Sequence, residues 1–225
     1  RKKLGAKGWL APSWPKHFGG GGFSPQSAAV ITEEVSRRQL PPLGLEMVYL
    51  TPLRAWGTEE QKARWLTPIL RGEISVSQIM SEPSTGTDLA HQDTKAIRDG
   101  DDFVVNGEKG YTGTPLTPDY LFILVTTDPN GERYKNLSTI IINARDPGVT
   151  ISRRQILTGK SLRSFAFKDV RVPVVDVIGD EGGGWDVAQT LLDVEHGGKG
   201  VTIDQRRAIE AREREHWSKL PKPPV

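Results

Sequence analysis

Pro68-Ile69-Leu70-Arg71-Gly72-Glu73-Ile74-Ser75-Val76-Ser77-Gln78-Ile79-Met80 is the stretch where the chain changes its period. Upstream, apolar residues recur at helical spacing. From about Glu73 they recur at every second position, the pattern of half-buried strands. Residues 1–72 therefore read as a helical domain, incomplete at its start. Residues 73–180 read as a β domain and residues 181–225 as the start of another helical domain. The expected fold class is α+β: helices, then an antiparallel β-barrel or sandwich, then helices.

Upstream of the switch, Gly19 to Gly22 form a flexible run. Ser24-Pro25 then offers an N-cap followed by proline at the first helical position. Ala28, Ala29, Ile31, Thr32 and Val35 carry a stripe towards Arg38, and Pro41-Pro42 ends it. A second helix is expected over about Leu43–Leu50. A third, Thr58–Leu66, starts with a capping box in which Thr58 is followed three residues later by Gln61.

Downstream, strands are expected at Ile74–Met80, Thr94–Arg98, Phe103–Asn106, Tyr120–Thr127, Leu137–Asn143, Val149–Gln155 and Ser164–Val172. The turn clusters Asp99-Gly100-Asp101, Asp128-Pro129-Asn130-Gly131 and Asp146-Pro147-Gly148 separate several of them. Asn106-Gly107 reads as a further hairpin turn, with Tyr111 beyond it in the core. After Gly182-Gly183-Gly184 a helix is expected from Trp185 to about Glu195. Thr202–Lys219 is charge-rich with i,i+4 pairs such as Arg206–Glu210, and reads as a solvated or partner-packed helix.

Composition removes several function classes. The net charge of +2 gives no electrostatic case for nucleic acid or an anionic membrane. Without cysteine there is no disulfide, thiolate metal site or cysteine nucleophile, and four histidines without paired spacing give no metal site. No apolar run approaches the roughly 20 residues that span a bilayer. The chain opens on Arg1-Lys2-Lys3-Leu4, without initiator methionine or signal core, and is expected to begin inside a longer product.

Three stretches carry a family resemblance. Gly57-Thr58-Glu59-Glu60-Gln61-Lys62 with Pro68–Glu73 resembles the passage from helical to β domain in acyl-CoA dehydrogenases. Ser81-Glu82-Pro83-Ser84-Thr85-Gly86-Thr87-Asp88-Leu89-Ala90 looks like that family's flavin and acyl-CoA loop. Phe167-Lys168-Asp169-Val170-Arg171-Val172-Pro173, then Ile178-Gly179 and Gly183-Gly184-Trp185, resembles its exit from the β domain. Order and spacing match over nearly the whole chain, with most of the C-terminal helical domain beyond it.

The resemblance implies FAD as cofactor and oxidation of an acyl-CoA thioester to the 2,3-enoyl-CoA. It implies cofactor contacts at Met80, Ser81, Thr87, Tyr111, Thr112 and Gly113, and substrate contacts at Ser81 and Thr87. Two positions depart from the pattern. Tyr111 stands where tryptophan is usual, and Gly113 where a hydroxyl residue is usual, a role open to Thr112 or Thr114. Most members keep the catalytic glutamate far along the third domain; a minority place it where Glu195 falls, so Glu195 is the candidate base. His196 stands where arginine is common. Arg153, Arg154 and Arg163 are candidates for phosphate contacts or plain solvated positions.

The partners implied are an acyl-CoA, an electron-transfer flavoprotein and a homo- or hetero-oligomeric neighbour, dimer or tetramer. The location implied is cytoplasmic, or the mitochondrial matrix in a eukaryote. Two other readings stand beside dehydrogenation: a flavin monooxygenase on the same fold, and a non-catalytic or partner-dependent subunit of a hetero-oligomer.

Overall fold

The structure, a computed structural model, describes residues 1–38, 48–113 and 117–196. The expected Thr202–Lys219 helix, the start of the Leu43–Leu50 helix and Thr114 lie outside the described residues. The described helical segments are α1 (Lys2–Gly5), α2 (Pro25–Arg37), α3 (Leu50–Trp56), α4 (Glu59–Gln61), α5 (Thr67–Leu70) and α6 (Gly184–Glu195).

The predicted caps form. Ser24 Oγ accepts from the Ser27 N–H at 3.2 Å, with Pro25 opening α2. Thr58 and Gln61 close the capping box reciprocally, at 2.9 and 3.2 Å. Gln61 also donates to the Val175 and Val177 carbonyls at 2.8 and 2.7 Å, tying this corner to the β domain. A π-helical turn, Lys62–Leu66, joins α4 to α5. Pro68 has no N–H for the Arg64 carbonyl, and the widened turn lies just upstream of it. The described helix here, α3, starts at Leu50, where the expected one ends, after a turn at Val48-Tyr49, and runs to Trp56. Pro52 sits in the first turn of α3, where its missing N–H costs nothing.

Eight strands form one sheet: β1 (Val76–Ile79), β2 (Lys95–Asp99), β3 (Asp102–Thr112), β4 (Tyr120–Thr126), β5 (Leu137–Asn143), β6 (Val149–Gln155), β7 (Ser161–Pro173) and β8 (Val177–Ile178). Their order is β6-β7-β3-β2-β4-β5-β8, with β1 beside β4. Most pairs are antiparallel, but β1 and β2 both meet β4 in parallel. Their chain connections to β4 are too long for a hairpin, which frees the direction of pairing.

β4 and β5 are buried on both faces. Leu121, Ile123, Val125, Ile140 and Ile142 point into a core closed by Phe103, Phe165 and Phe167. Phe122, Leu124, Leu137 and Ile141 face a second core built with Leu53, Leu66, Ile69 and Leu191. Fully burying one such side chain contributes about 1.5–3 kcal/mol, which is why both strands read as unbroken apolar runs. α6 lies directly on β5. A Cβ on Gly184 would meet Ser138 backbone at 2.5 Å, so the helix can start there only with glycine.

The expected Asn106-Gly107 turn is not one. β3 runs through it with a register shift between Val105 and Gly107. Gly107 has φ +144°, and a Cβ there would lie 2.6 Å from Thr94 Cα, so the glycine serves the close approach to Thr94. Asn106 donates to Asp169 Oδ1 at 3.2 Å and accepts from the Asp169 N–H at 3.0 Å, joining β3 to β7 at the register shift. The actual hairpin turns at Gly100, with φ +65°. Tyr111 is also not in the core. It is 42% exposed, with φ +70°, at a second register shift between Gly110 and Thr112.

Candidate active site

β1 ends at Ile79, and the chain leaves the sheet through Met80, Ser81 and a tight turn. The Glu82 and Thr85 backbones bond each other at 2.8 and 3.2 Å, with Pro83 at the second turn position where its fixed φ suits the bend. Glu82 folds beneath its own loop. Its carboxylate accepts from the Asp93 and Thr94 N–H groups at 2.6 and 3.0 Å.

The same carboxylate meets the Lys109 ammonium at 2.6 Å, with both side chains almost wholly buried. Lys109 also donates to the Met80 carbonyl at 3.3 Å and to Gln92 Oε1. Three acceptors match the three N–H bonds of an ammonium. Burial pulls the Lys109 pKa down to about 8, and the Glu82 charge opposes that fall. One residue on, the Gly110 N–H donates to the Ser81 carbonyl at 3.0 Å.

Above this zipped pair of segments lies a cleft of about 420 Å³. Met80 and Ser81 form one wall, and Tyr111, Thr112 and Gly113, leaving β3, form the next. Glu195 and His196, at the end of α6, face them. Ile79, Leu89 and Leu192 add apolar surface. The volume lies within the roughly 300–1,000 Å³ usual for small-molecule sites.

Of the residues expected at the site, Met80, Ser81, Tyr111, Thr112, Gly113 and Glu195 share this cleft. Thr87 does not line it; Gly86 does, and Thr87 is exposed further along the loop. Glu195 is the one carboxylate among the described lining residues. At Gly113 an added Cβ would find only Leu162 Cδ2, at 4.0 Å, so a hydroxyl residue is not excluded there by space. Thr112, half-buried on the cleft wall, brings a hydroxyl-bearing side chain instead. The combination of apolar surface, hydroxyl residues on one edge and an exposed tyrosine ring fits a flat heteroaromatic group such as the isoalloxazine of FAD.

Sequence reasoning missed Lys109 and Gln92. Lys109 stands in Asn106–Gly113, where the reading turned on Tyr111 and Gly113, and its partners lie 17 and 27 residues away.

Residues 1–73 match the model for the acyl-CoA dehydrogenase N-terminal domain, and residues 77–171 that for the acyl-CoA dehydrogenase middle domain. The chain belongs to the acyl-CoA dehydrogenase family. Acyl-CoA dehydrogenase FadE29 of Mycobacterium tuberculosis is 36% identical over 196 residues, covering 86% of this chain and 51% of that protein. Among solved structures, the Tcur3481-Tcur3483 steroid ACAD superposes with TM-score 0.76 at 39% identity, covering 86% of this chain and 51% of that one. The ChsE4-ChsE5 complex from Mycobacterium tuberculosis superposes with TM-score 0.73 at 35% identity, covering 85% and 50%. This member of the family thus spans about half the length of the relatives it matches. The two family segments meet between Glu73 and Ser77, where the period of the sequence changes.

Proposed function

We propose that the chain serves the oxidation of an acyl-CoA thioester to its 2,3-unsaturated form, with FAD as cofactor and Glu195 as base. The observation that carries this reading is the meeting of Ser81, Thr112 and Glu195 on one cleft. Bound FAD would supply the acceptor for the hydrogen that leaves the β carbon with its electron pair. Ser81 and Thr112 would hydrogen-bond the flavin edge and stabilise the negative charge gathering there. Tyr111 would pack on the ring. Glu195 would take the proton from the α carbon as the C=C bond forms, and His196 would offer a polar contact beside it. Thr87 keeps an assignment along the CoA path on the family resemblance alone. Electrons would pass on to an electron-transfer flavoprotein.

The structural relative called a steroid ACAD supports a steroid-derived CoA ester as the substrate class. The Tcur3481-Tcur3483 steroid ACAD and the ChsE4-ChsE5 complex each carry a pair of component names, which favours a second reading: a subunit that works beside a different chain.

The test is uptake of FAD by the purified chain, followed by anaerobic addition of acyl-CoA esters. Loss of the flavin's visible absorption with a steroidal or straight-chain ester is the expected result. Glu195→Gln is expected to keep FAD and slow bleaching by about 10²- to 10⁴-fold, the span of a general base. Wild-type bleaching in that variant would remove Glu195 from the role. A colourless chain that takes up no FAD alone or with a co-expressed partner would end the enzyme reading.

A further inference from the structure

The buried Lys109 takes no part in the chemistry proposed above, yet it lies directly beneath the cleft. Its ammonium is held by Glu82, the Met80 carbonyl and Gln92. Gln92 is in turn fixed, donating to the Leu89 carbonyl at 2.8 Å while its own carbonyl accepts from Thr126 Oγ1 at 2.7 Å. Glu82 holds the far end of the loop through Asp93 and Thr94. Every acceptor of the ammonium therefore belongs to the segment Met80–Gln92, which leaves the sheet at Met80 and returns to it at β2.

β3 brings Lys109 and the adjoining Gly110 N–H to this junction. The strand is irregular on both sides of them, with register shifts before Gly107 and after Gly110. Regular sheet pairing does not fix the height of the loop against β3 there: the described pairing of β3 is with β2, as far as Asn106, and with β7 on its other edge. A buried charge with three acceptors can.

We propose that Lys109 is a positioning residue: through Glu82, Gln92 and Met80 it sets Met80–Ser81 against Gly110–Thr112 at the wall where the flavin edge would lie. This deepens the proposed function and rests on it for the identity of the ligand. It does not rest on it for the mechanical role. A buried pair is not a general stabiliser, since apolar replacement of both partners is often neutral or better. Its value is that it admits one arrangement of the two segments.

The test compares the full wild-type chain with Lys109→Met, Lys109→Arg and Glu82→Gln. Two quantities are read: amide hydrogen exchange at Gly110, Asp93 and Thr94, and FAD affinity by titration. Lys109→Met is expected to speed exchange at those three amides at least tenfold while Ile123 and Ile141, in the central strands, stay protected. FAD affinity is expected to fall at least tenfold. Lys109→Arg, which keeps the charge and the donors, is expected to restore affinity to within about threefold. Should Lys109→Met fail to fold, Glu82→Gln keeps the side-chain shape and the ammonium, and is expected to move the same readouts in the same direction.

Unchanged exchange at Gly110, Asp93 and Thr94 would overturn the proposal, as would unchanged FAD affinity in a chain whose loop has loosened. If the wild type takes up no FAD, the flavin reading falls. The exchange rates then still decide whether Lys109 sets the wall.

Discussion

On one side of the cleft, Met80 and Ser81 are held from beneath by a buried ammonium, a buried carboxylate and two backbone N–H groups. On the other, Glu195 and His196 stand exposed at the last turn of α6, a helix fixed by Val187, Ala188 and Leu191 against β5 and by hydrogen bonds from Trp56 Nε1 to Thr190 Oγ1 at 3.0 Å and from Thr139 Oγ1 to the Gly184 carbonyl at 3.3 Å. The first wall is directional and polar, the second greasy and tolerant. Hydrogen-bonded charge fixes direction as well as distance, whereas apolar burial is non-directional. The wall assigned to the flavin rests on buried charge; the wall carrying the candidate base rests on apolar contacts.

The largest effect should come from breaking the polar wall. Lys109→Met leaves Glu82 buried without its counter-charge, and is expected to cost about 3–5 kcal/mol in urea unfolding. The same residue gives a pH signature. The folded chain releases the Lys109 proton near pH 8, held there by burial against the pull of Glu82 and Asp93, while the unfolded chain keeps its proton to about 10.5. Between those values unfolding takes up a proton, so the stability contribution rises with pH, by at most about 1.4 kcal/mol per pH unit. Below pH 8 the lysine is charged in both states and adds no slope. Unfolding curves from pH 7 to 10 should show the rise in wild type and its loss in Lys109→Met.

Breaking the apolar wall should cost less and act elsewhere. Leu191→Ala opens a cavity under α6 and is expected to destabilise by about 3 kcal/mol. Exchange should quicken along α6 and not at Gly110, Asp93 or Thr94; coupled loosening of both walls would erase the distinction between them. Thr190→Val strands the Trp56 N–H in a partly buried site, for about 1 kcal/mol. Unfolding midpoints, and hydrogen exchange in the last turn of α6, read both.

The same contrast governs what could be read from sequence. The central strands were legible because β4 and β5 alternate between two cores, and continuous apolar runs announce that. The caps of α2 and α4 were legible because Ser24-Pro25 and Thr58 with Gln61 act within one helical turn. The cleft was legible at Ser81 through family resemblance, but its support was not. Lys109 falls on the alternation that buries Phe103 and Val105, but Asn106-Gly107 looks locally like a hairpin turn, which hides that count. The register shift there depends on Thr94 and Asp169, distant in sequence. β8, two residues long, has no period to detect.

The smallest expected change concerns Tyr111, which the family resemblance sets where tryptophan is usual and which sits in a left-handed conformation. A side chain with a Cβ pays for that φ of +70° in steric strain of about 1–2 kcal/mol. Its 42% exposure shows that little packing in this chain offsets the cost. Tyr111→Gly removes the strain and loses some entropy on folding, so a net gain of about 0.5–1 kcal/mol is expected in thermal unfolding. Strain kept at a cleft wall without a packing return points to a role for the ring in binding. The same variant should therefore bind FAD more weakly while the apo chain melts higher. Equal FAD affinity in a more stable variant would leave the tyrosine ring without a part in the site.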